Sequence, residues 1–209
     1  MGHPTGGADS PPPGAGTAAR PPSIWNVANA LTGLRIVLVP VFGWLLLANG
    51  GHDDVYRVLA FVVFAVAAAT DQIDGDLARR RGIVTDLGKI ADPIADKALT
   101  GMAFVGLSIL GDLAWWVTVV VLIREWGITA LRFAVIRFGV IAASPGGKLK
   151  TLLQGLALSG YILPLTGWLH TAAQVMMAAA VIVTVVTGAD YVRRAFRLRR
   201  AGRLSAKLP

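Results

Sequence analysis

The chain has 209 residues, of which 55% are hydrophobic and 15% are charged, and its formal net charge is +8. Because soluble globular proteins carry about 25% charged residues, this composition excludes an ordinary soluble domain and indicates a membrane protein. The absence of cysteine excludes disulfide bonds and thiolate metal sites. The positive charge does not indicate a nucleic-acid partner, since the basic residues lie between apolar runs and at the C-terminus, where they orient membrane proteins.

The N-terminal segment differs in composition from the rest of the chain. Residues 1–22 are rich in proline, glycine and alanine, and we expect them to be disordered. They lack the basic start and the apolar stretch of a signal peptide. Ser23 is predicted to cap a short helix from Ile24 to about Asn29, whose apolar face suits the membrane surface.

Six apolar runs follow, and each is long enough to cross a membrane as a helix. We place the spans near residues 31–49, 55–80, 92–110, 113–138, 149–167 and 170–192. The sequence therefore predicts an all-α integral membrane protein with six transmembrane helices and a short N-terminal interfacial helix. A single membrane domain would cover residues 23–196, and a basic cytoplasmic tail would cover residues 197–209.

The basic residues predict the orientation of these spans. The connections around residues 50–54, 111–114 and 167–172 contain no lysine or arginine. The connections 79–89 and 137–150 are basic, and so is the C-terminal tail. By the positive-inside rule, the two basic connections and both termini face the cytoplasm, which indicates a multi-pass protein of the cell membrane.

Four aspartates stand at helical spacing at the ends of two predicted spans. Asp71 and Asp74 are separated by three positions near the end of the second span. Asp92 and Asp96 are separated by four positions at the start of the third span, where Asp92-Pro93 is a favourable start for a helix. Each pair would share one helix face, and the short basic connection would bring the two pairs together at the cytoplasmic side.

Clustered carboxylates repel one another and stay ionised only beside cations. This stretch contains neither cysteine nor histidine, so the ligands are all oxygen, which suits two Mg²⁺ or Mn²⁺ ions. Gly75 and Ala78 are small enough to let a nucleotide approach the helix, and Arg79 offers a fork to phosphate. An ordinary solvated loop explains Asp76, Asp86 and the run of arginines, but it does not explain the two carboxylate pairs.

The pattern D-x2-D-G-x2-A-R-x8-G-x3-D-x3-D resembles the signature of the CDP-alcohol phosphatidyltransferases. It is matched at Asp71, Asp74, Gly75, Ala78, Arg79, Gly88, Asp92 and Asp96. The resemblance implies an enzyme that transfers a phosphatidyl group from a CDP-activated lipid to an alcohol and releases CMP. It also implies six transmembrane helices, a homodimer and an active site open to the cytosol.

The resemblance also implies roles for the matched residues. All four aspartates would contact the metal ions, and Asp96 would in addition be the general base. Gly75, Ala78 and Arg79 would contact the CDP moiety, and Thr85 resembles the small hydroxyl residue that contacts the diphosphate.

Cations in the fourth and fifth spans point to the acceptor. Arg124 would lie near the middle of the membrane, where it needs an anion, either the phosphate of an acceptor or a paired carboxylate such as Glu125. Arg132 lies nearer the cytoplasm and suits an acceptor phosphate. Lys148 and Lys150 open the fifth span, where they would bind phosphate or serve only as positive-inside charge.

These stretches narrow the resemblance to the bacterial branch of the family that acts on sn-glycerol 3-phosphate. Asn29, Thr32 and Arg35 correspond to contacts of CDP-diacylglycerol in that branch, although Arg35 has the alternative of extending to the lipid headgroups. Other acceptors remain open, since cardiolipin synthases use phosphatidylglycerol and phosphatidylinositol phosphate synthases use inositol phosphate. A cation transporter is the alternative from another class, because carboxylates inside a membrane also mark ion paths.

Overall fold

The computed structural model describes residues 27–81, 86–135 and 145–205. These residues form six α-helices, a short 3-10 turn at Ala48–Gly51 and no strand. The helices are α1 (Val27–Leu47), α2 (Asp54–Arg81), α3 (Asp86–Ile109), α4 (Trp115–Val135), α5 (Pro145–Ile162) and α6 (Gly167–Ser205). The predicted all-α class is confirmed over this part of the chain, and each predicted span overlaps one helix. The side chains of residues 71–93 and of Asp96 lie outside the described part.

Two of these helices are long and apolar enough to cross a membrane, judged by length and composition. They are Leu31–Gly51, with a mean hydropathy of 2.0, and Gly167–Arg199, with a mean hydropathy of 1.9. A shorter apolar stretch occupies Lys97–Ile109 in α3. α2 and α4 carry charged residues within their apolar runs, and α5 has two lysines in its first two turns, so hydropathy alone does not distinguish these helices as spans.

Several predicted helix boundaries differ from the structure. The fifth helix ends at Ile162 and the sixth begins at Gly167, so the connection predicted around residues 167–172 is misplaced. Residues 27–29 continue into α1 without a break, so the boundary predicted near Asn29 is wrong, while residues 24–26 lie outside the described residues. The third helix begins at Asp86, so Asp92-Pro93 lies within α3 rather than at its start. The sixth helix continues to Ser205 and includes the start of the basic tail. Hydropathy marks the apolar part of a helix, whereas arginine, alanine and leucine extend helices beyond it.

The helices pack in a bundle around an apolar core. α1 contacts α2 and α3, α5 packs along α6, and α4 also lies against α6. Completely buried side chains from four helices fill the centre, among them Phe42, Phe104, Val121 and Ile162. The packing of α4 against α6 brings Arg124 of α4 next to Thr187 of α6.

The turn between α1 and α2 fixes one end of the bundle. The Oδ1 of Asp53 accepts a hydrogen bond of 2.9 Å from the backbone amide of Val55 and caps α2. Arg57, in the first turn of α2, forms an ion pair with Asp112 in the connection between α3 and α4. Gly51 has φ of 72°, and a Cβ there would lie 2.6 Å from Leu110. Since α2 is 28 residues long, its far end lies about 40 Å from this turn.

Candidate functional site

The aspartates of the predicted metal site lie on the two helices that flank residues 82–85. Asp71 and Asp74 are in the last part of α2, and Asp92 and Asp96 are in the first half of α3. Because both pairs lie within helices, their spacings of three and four residues put each pair on one side of its helix. Their side chains are outside the described part, so the convergence of all four carboxylates stays a prediction.

The residues predicted to contact the nucleotide follow the first pair of aspartates. Gly75, Ala78 and Arg79 belong to α2, whereas Thr85 lies outside the described residues. The donors at the four aspartate positions are all carboxylate oxygens, and this chemistry fits Mg²⁺ or Mn²⁺. The donor set is therefore consistent with the predicted ions.

A large cavity of about 1020 Å³ lies beside this part of α3 and is walled by α2, α3, α4, α5 and α6. The charged side chains that line it are Lys97, Arg124, Glu125, Arg132, Lys148 and Lys150. Lys97 directly follows Asp96 in α3, so the cavity reaches the helical turn that contains Asp96. With five cations and one carboxylate among the described lining residues, the cavity favours an anionic ligand.

A charged network spans three helices in the wall of the large cavity. The Nζ of Lys150 and the Nη1 of Arg124 both donate to the Oε1 of Glu125, at 2.6 Å and 2.9 Å. The Nη2 of Arg124 donates to the Oγ1 of Thr187 on α6, also at 2.9 Å. The pairing of Arg124 with Glu125, which the sequence left as an alternative to phosphate binding, is therefore present in the structure.

The other two predicted acceptor contacts are more accessible. Arg132 lies in the last turn of α4 and Lys148 in the first turn of α5, and both side chains are exposed along the large cavity. Lys150 is 7% exposed and Arg124 is held in the network, so the four cations differ in accessibility. Arg132 and Lys148 are the cations that an entering anion meets without breaking an ion pair described above.

A smaller cavity of about 180 Å³ shares Lys97, Glu125 and Lys150 with the large one. Arg35 lines this second cavity and is 1% exposed, and Thr32 on the same helix is also buried. The alternative in which Arg35 extends to the lipid headgroups is wrong, because its side chain lies inside the bundle. The role of Thr32 and Arg35 as substrate contacts stays a prediction, and the side chain of Asn29 lies outside the described part.

The sequence analysis did not single out several residues that line the two cavities, and four of them are polar or charged side chains of particular interest. They are Lys97, Gln154, Thr187 and Tyr191. Lys97 had a detectable signal, since it is a cation in the apolar run of the third span. Thr187 had no local signal, because its contact with Arg124 joins positions 63 residues apart in the chain.

Comparison with known proteins gives one consistent result. Residues 25–186 match the family model described as CDP-alcohol phosphatidyltransferase. A probable phosphatidylglycerophosphate synthase of Mycobacterium tuberculosis is 56% identical over 185 residues, which cover 88% of each chain. A CDP-diacylglycerol–glycerol-3-phosphate 3-phosphatidyltransferase of Bacillus subtilis is 35% identical over 182 residues, or 80% of this chain and 94% of the relative. The protein of the same description from Haemophilus influenzae is 32% identical, over 81% of this chain and 92% of the relative. The chain belongs to the CDP-alcohol phosphatidyltransferase family.

Proposed function

We propose that the chain transfers the phosphatidyl group of CDP-diacylglycerol to sn-glycerol 3-phosphate, giving phosphatidylglycerol phosphate and CMP in phospholipid biosynthesis. The observation that carries this proposal is the cation-lined cavity next to the turn of α3 that bears Asp96. An acceptor that carries a phosphate group suits a cavity with this excess of positive charge. The names of the relatives from Bacillus subtilis and Haemophilus influenzae include glycerol 3-phosphate and support the same acceptor.

The reaction requires a base beside the acceptor. The hydroxyl oxygen of glycerol 3-phosphate forms a bond to the phosphorus that carries diacylglycerol, while the bond from that phosphorus to the oxygen of CMP breaks. The hydroxyl proton passes to the carboxylate of Asp96, which is the proposed general base. Asp96 is one residue before Lys97, a lining residue of the large cavity, and this proximity supports the assignment.

The same four aspartates would hold the two divalent ions. Asp71, Asp74, Asp92 and Asp96 supply carboxylate oxygens for Mg²⁺ or Mn²⁺, which when bound offset the negative charge of the diphosphate and of the leaving CMP. The remaining proposed contacts of CDP-diacylglycerol are Gly75, Ala78, Arg79, Thr85, Asn29, Thr32 and Arg35. Among these, buried Arg35 would place a fixed positive charge inside the bundle near the donor.

The proposed acceptor site uses cations of two kinds. Arg132 and Lys148 are exposed along the large cavity and would meet the phosphate of the acceptor first. Arg124 and Lys150 share the carboxylate of Glu125 and would complete the site from its wall. A phosphate dianion adds negative charge to a group of cations that a single carboxylate only partly offsets.

The exposed surface supports a location in the cell membrane. Large apolar side chains lie on the outside of the bundle, including Trp44 at 65%, Ile123 at 68% and Trp168 at 77% exposed. Contact with lipid tails is favourable for such side chains, whereas their exposure to water costs free energy. We infer a multi-pass protein with six spans, both termini and the active site on the cytoplasmic side. The homodimer remains part of the proposal on the strength of the family resemblance.

The first test is CMP release by the purified protein in detergent with CDP-diacylglycerol and Mg²⁺. Glycerol 3-phosphate, phosphatidylglycerol and inositol phosphate are supplied separately as acceptors. We expect release only with glycerol 3-phosphate, and we expect Asp96→Asn to lower kcat by at least about 100-fold, the usual contribution of a general base. Release only with another acceptor would overturn the assignment of the acceptor, and undiminished release by Asp96→Asn would overturn the role of Asp96.

A second set of variants tests the acceptor site itself. Lys148→Gln should raise the KM for glycerol 3-phosphate by about tenfold, because it removes a charged hydrogen bond to phosphate. Arg193→Gln is the matched control, since Arg193 is an exposed basic residue that does not line the large cavity. The control should leave the KM values for glycerol 3-phosphate and for CDP-diacylglycerol unchanged. An equal effect of the two variants would indicate that only general surface charge matters.

A further inference from the structure

The side chain of Arg124 lies against α6 at Gly188, where any larger residue would press on it. A Cβ on Gly188 would lie 3.1 Å from the Cγ of Arg124 and 3.3 Å from its Nε. These separations are shorter than ordinary van der Waals contacts between such atoms. Gly188 therefore gives the stem of Arg124 room to lie against the backbone of α6.

The neighbouring residue fixes the head of the same side chain. The Oγ1 of Thr187 donates a hydrogen bond of 2.6 Å to the carbonyl oxygen of Val183 in the preceding turn of α6. This bond occupies the hydroxyl proton, so the lone pairs of Oγ1 are available to Arg124. The Nη2 of Arg124 donates to this oxygen at 2.9 Å. Thr187 thus acts as an acceptor whose direction the helix itself sets.

Acceptors on two helices therefore hold the guanidinium group through its two terminal nitrogens. Glu125 on α4 accepts from Nη1 and Thr187 on α6 accepts from Nη2, so the plane of the guanidinium is fixed. The same oxygen of Glu125 accepts from Lys150, which links the arrangement to α5. A displacement of Arg124 would therefore change the surroundings of Glu125 and Lys150 as well.

We propose that Thr187 and Gly188 are positioning residues, which hold Arg124 in the wall of the large cavity for an acceptor that carries a phosphate group. This inference rests on the proposed function, in which that cavity receives glycerol 3-phosphate. Thr187 and Gly188 act through Arg124 and set the affinity for the acceptor. They leave the binding of CDP-diacylglycerol and the proton transfer unchanged.

The test compares KM values for the two substrates in four variants. Thr187→Val keeps the shape of the side chain and removes the acceptor oxygen, and Gly188→Ala places a methyl group against the stem of Arg124. Thr187→Ser keeps the hydroxyl. Thr171→Val is the matched control, because Thr171 makes the same type of bond to a carbonyl of α6, that of Gly167, far from the cavity.

We expect Thr187→Val and Gly188→Ala to raise the KM for glycerol 3-phosphate by about five- to tenfold, since a hydrogen bond to a charged group is lost or strained. The KM for CDP-diacylglycerol should stay within about twofold of the wild-type value, as expected for an effect confined to the acceptor. Thr187→Ser should restore the wild-type KM, and Thr171→Val should match the wild-type protein.

Three results would overturn the inference while leaving the proposed function intact. They are an unchanged KM for glycerol 3-phosphate in both Thr187→Val and Gly188→Ala, an equal rise in both KM values, or a defect in Thr187→Ser as large as in Thr187→Val. If the wild-type protein released no CMP with glycerol 3-phosphate, the proposed function would fail, and the inference would fail with it.

Discussion

Glu125 controls the charge balance of the large cavity. One of its oxygens accepts from both Lys150 and Arg124, and its side chain is 17% exposed. Cations held close together in a membrane protein repel each other and lose hydration, so a shared carboxylate stabilises both. Glu125 therefore contributes to the stability of the bundle as well as to the site.

The variant Glu125→Gln should make this contribution measurable. Loss of the shared charge should destabilise the protein by about 1.5–3 kcal/mol, the range for hydrogen bonds to charged groups, and lower its melting temperature in detergent. Added inorganic phosphate should raise the melting temperature of Glu125→Gln more than that of the wild-type protein. The anion stabilises the variant more because it supplies the negative charge that the carboxylate provided.

Asp190→Asn is the control for that experiment. Asp190 forms an exposed pair with Arg194 one turn away on α6, and such pairs contribute about 0–1 kcal/mol. An equal loss of stability in Asp190→Asn and Glu125→Gln, or an equal response of both to phosphate, would contradict the role assigned to Glu125.

The residues of the site differ in how far the sequence predicts them. The aspartates are inferred from the sequence alone, because their spacing and their apolar surroundings are local properties, and their convergence stays a prediction. The dual contacts of Arg124 are only partly predictable, since the neighbouring Glu125 is adjacent in sequence whereas Thr187 is not. Local spacing contains no information on which helix lies against which, and that is why the positioning residues on α6 could not be predicted.

At the scale of elements, α5 and α6 approach each other closely at a small residue. A Cβ on Gly160 would lie 2.6 Å from the Cβ of Ala173 and 3.6 Å from its Cα. The obstacle is a short side chain fixed to a helix backbone, so it cannot rotate away. The two helices would have to separate, and they pack together along much of their length.

Gly160→Ala should therefore destabilise the protein by about 1–3 kcal/mol, the usual cost of overpacking a core, as measured by thermal unfolding in detergent. Gly127→Ala is the control, because a Cβ at this glycine of α4 would meet no atom within 4 Å. The control should keep or raise stability, since alanine favours helix over glycine by up to about 1 kcal/mol. A stable Gly160→Ala variant would show that the α5–α6 contact adjusts without cost.

The existence of the six helices is predictable from hydropathy, whereas their ends are not. Apolar runs predict the buried or lipid-facing part of each helix, so the predicted start of the third span at residue 92 misses the first turns of α3. The extension of α6 to Ser205 is likewise outside any apolar run, and it forms from residues with high helix propensity. Hydropathy therefore detects the apolar part of each helix but not its ends, because the ends contain charged and polar residues.

At the scale of the whole molecule, the proposed orientation can be measured directly because the chain contains no cysteine. Ala114→Cys introduces a thiol in the connection between α3 and α4, and Arg197→Cys introduces one on the C-terminal part of α6, both at exposed positions. By the positive-inside rule, a membrane-impermeant maleimide should label Ala114→Cys in intact cells and Arg197→Cys only after permeabilisation.

The wild-type chain is the control for non-specific labelling, and CMP release by each variant confirms that the fold is retained. Labelling of Arg197→Cys in intact cells would place the C-terminus outside and reverse the proposed orientation. Labelling of neither position after permeabilisation would contradict the exposure of both residues in the structure.

Glu125 also determines how much an incoming anion gains. In the proposed function, the acceptor phosphate approaches cations that already share an internal counter-ion, so part of their charge is offset before it binds. The phosphate therefore gains less free energy from Arg124 and Lys150 than it would from cations without that carboxylate. The same carboxylate continues to offset the two cations when the phosphorylated product leaves. A cavity with a resident counter-ion is thus suited to rapid turnover, whereas bare cations would retain the product.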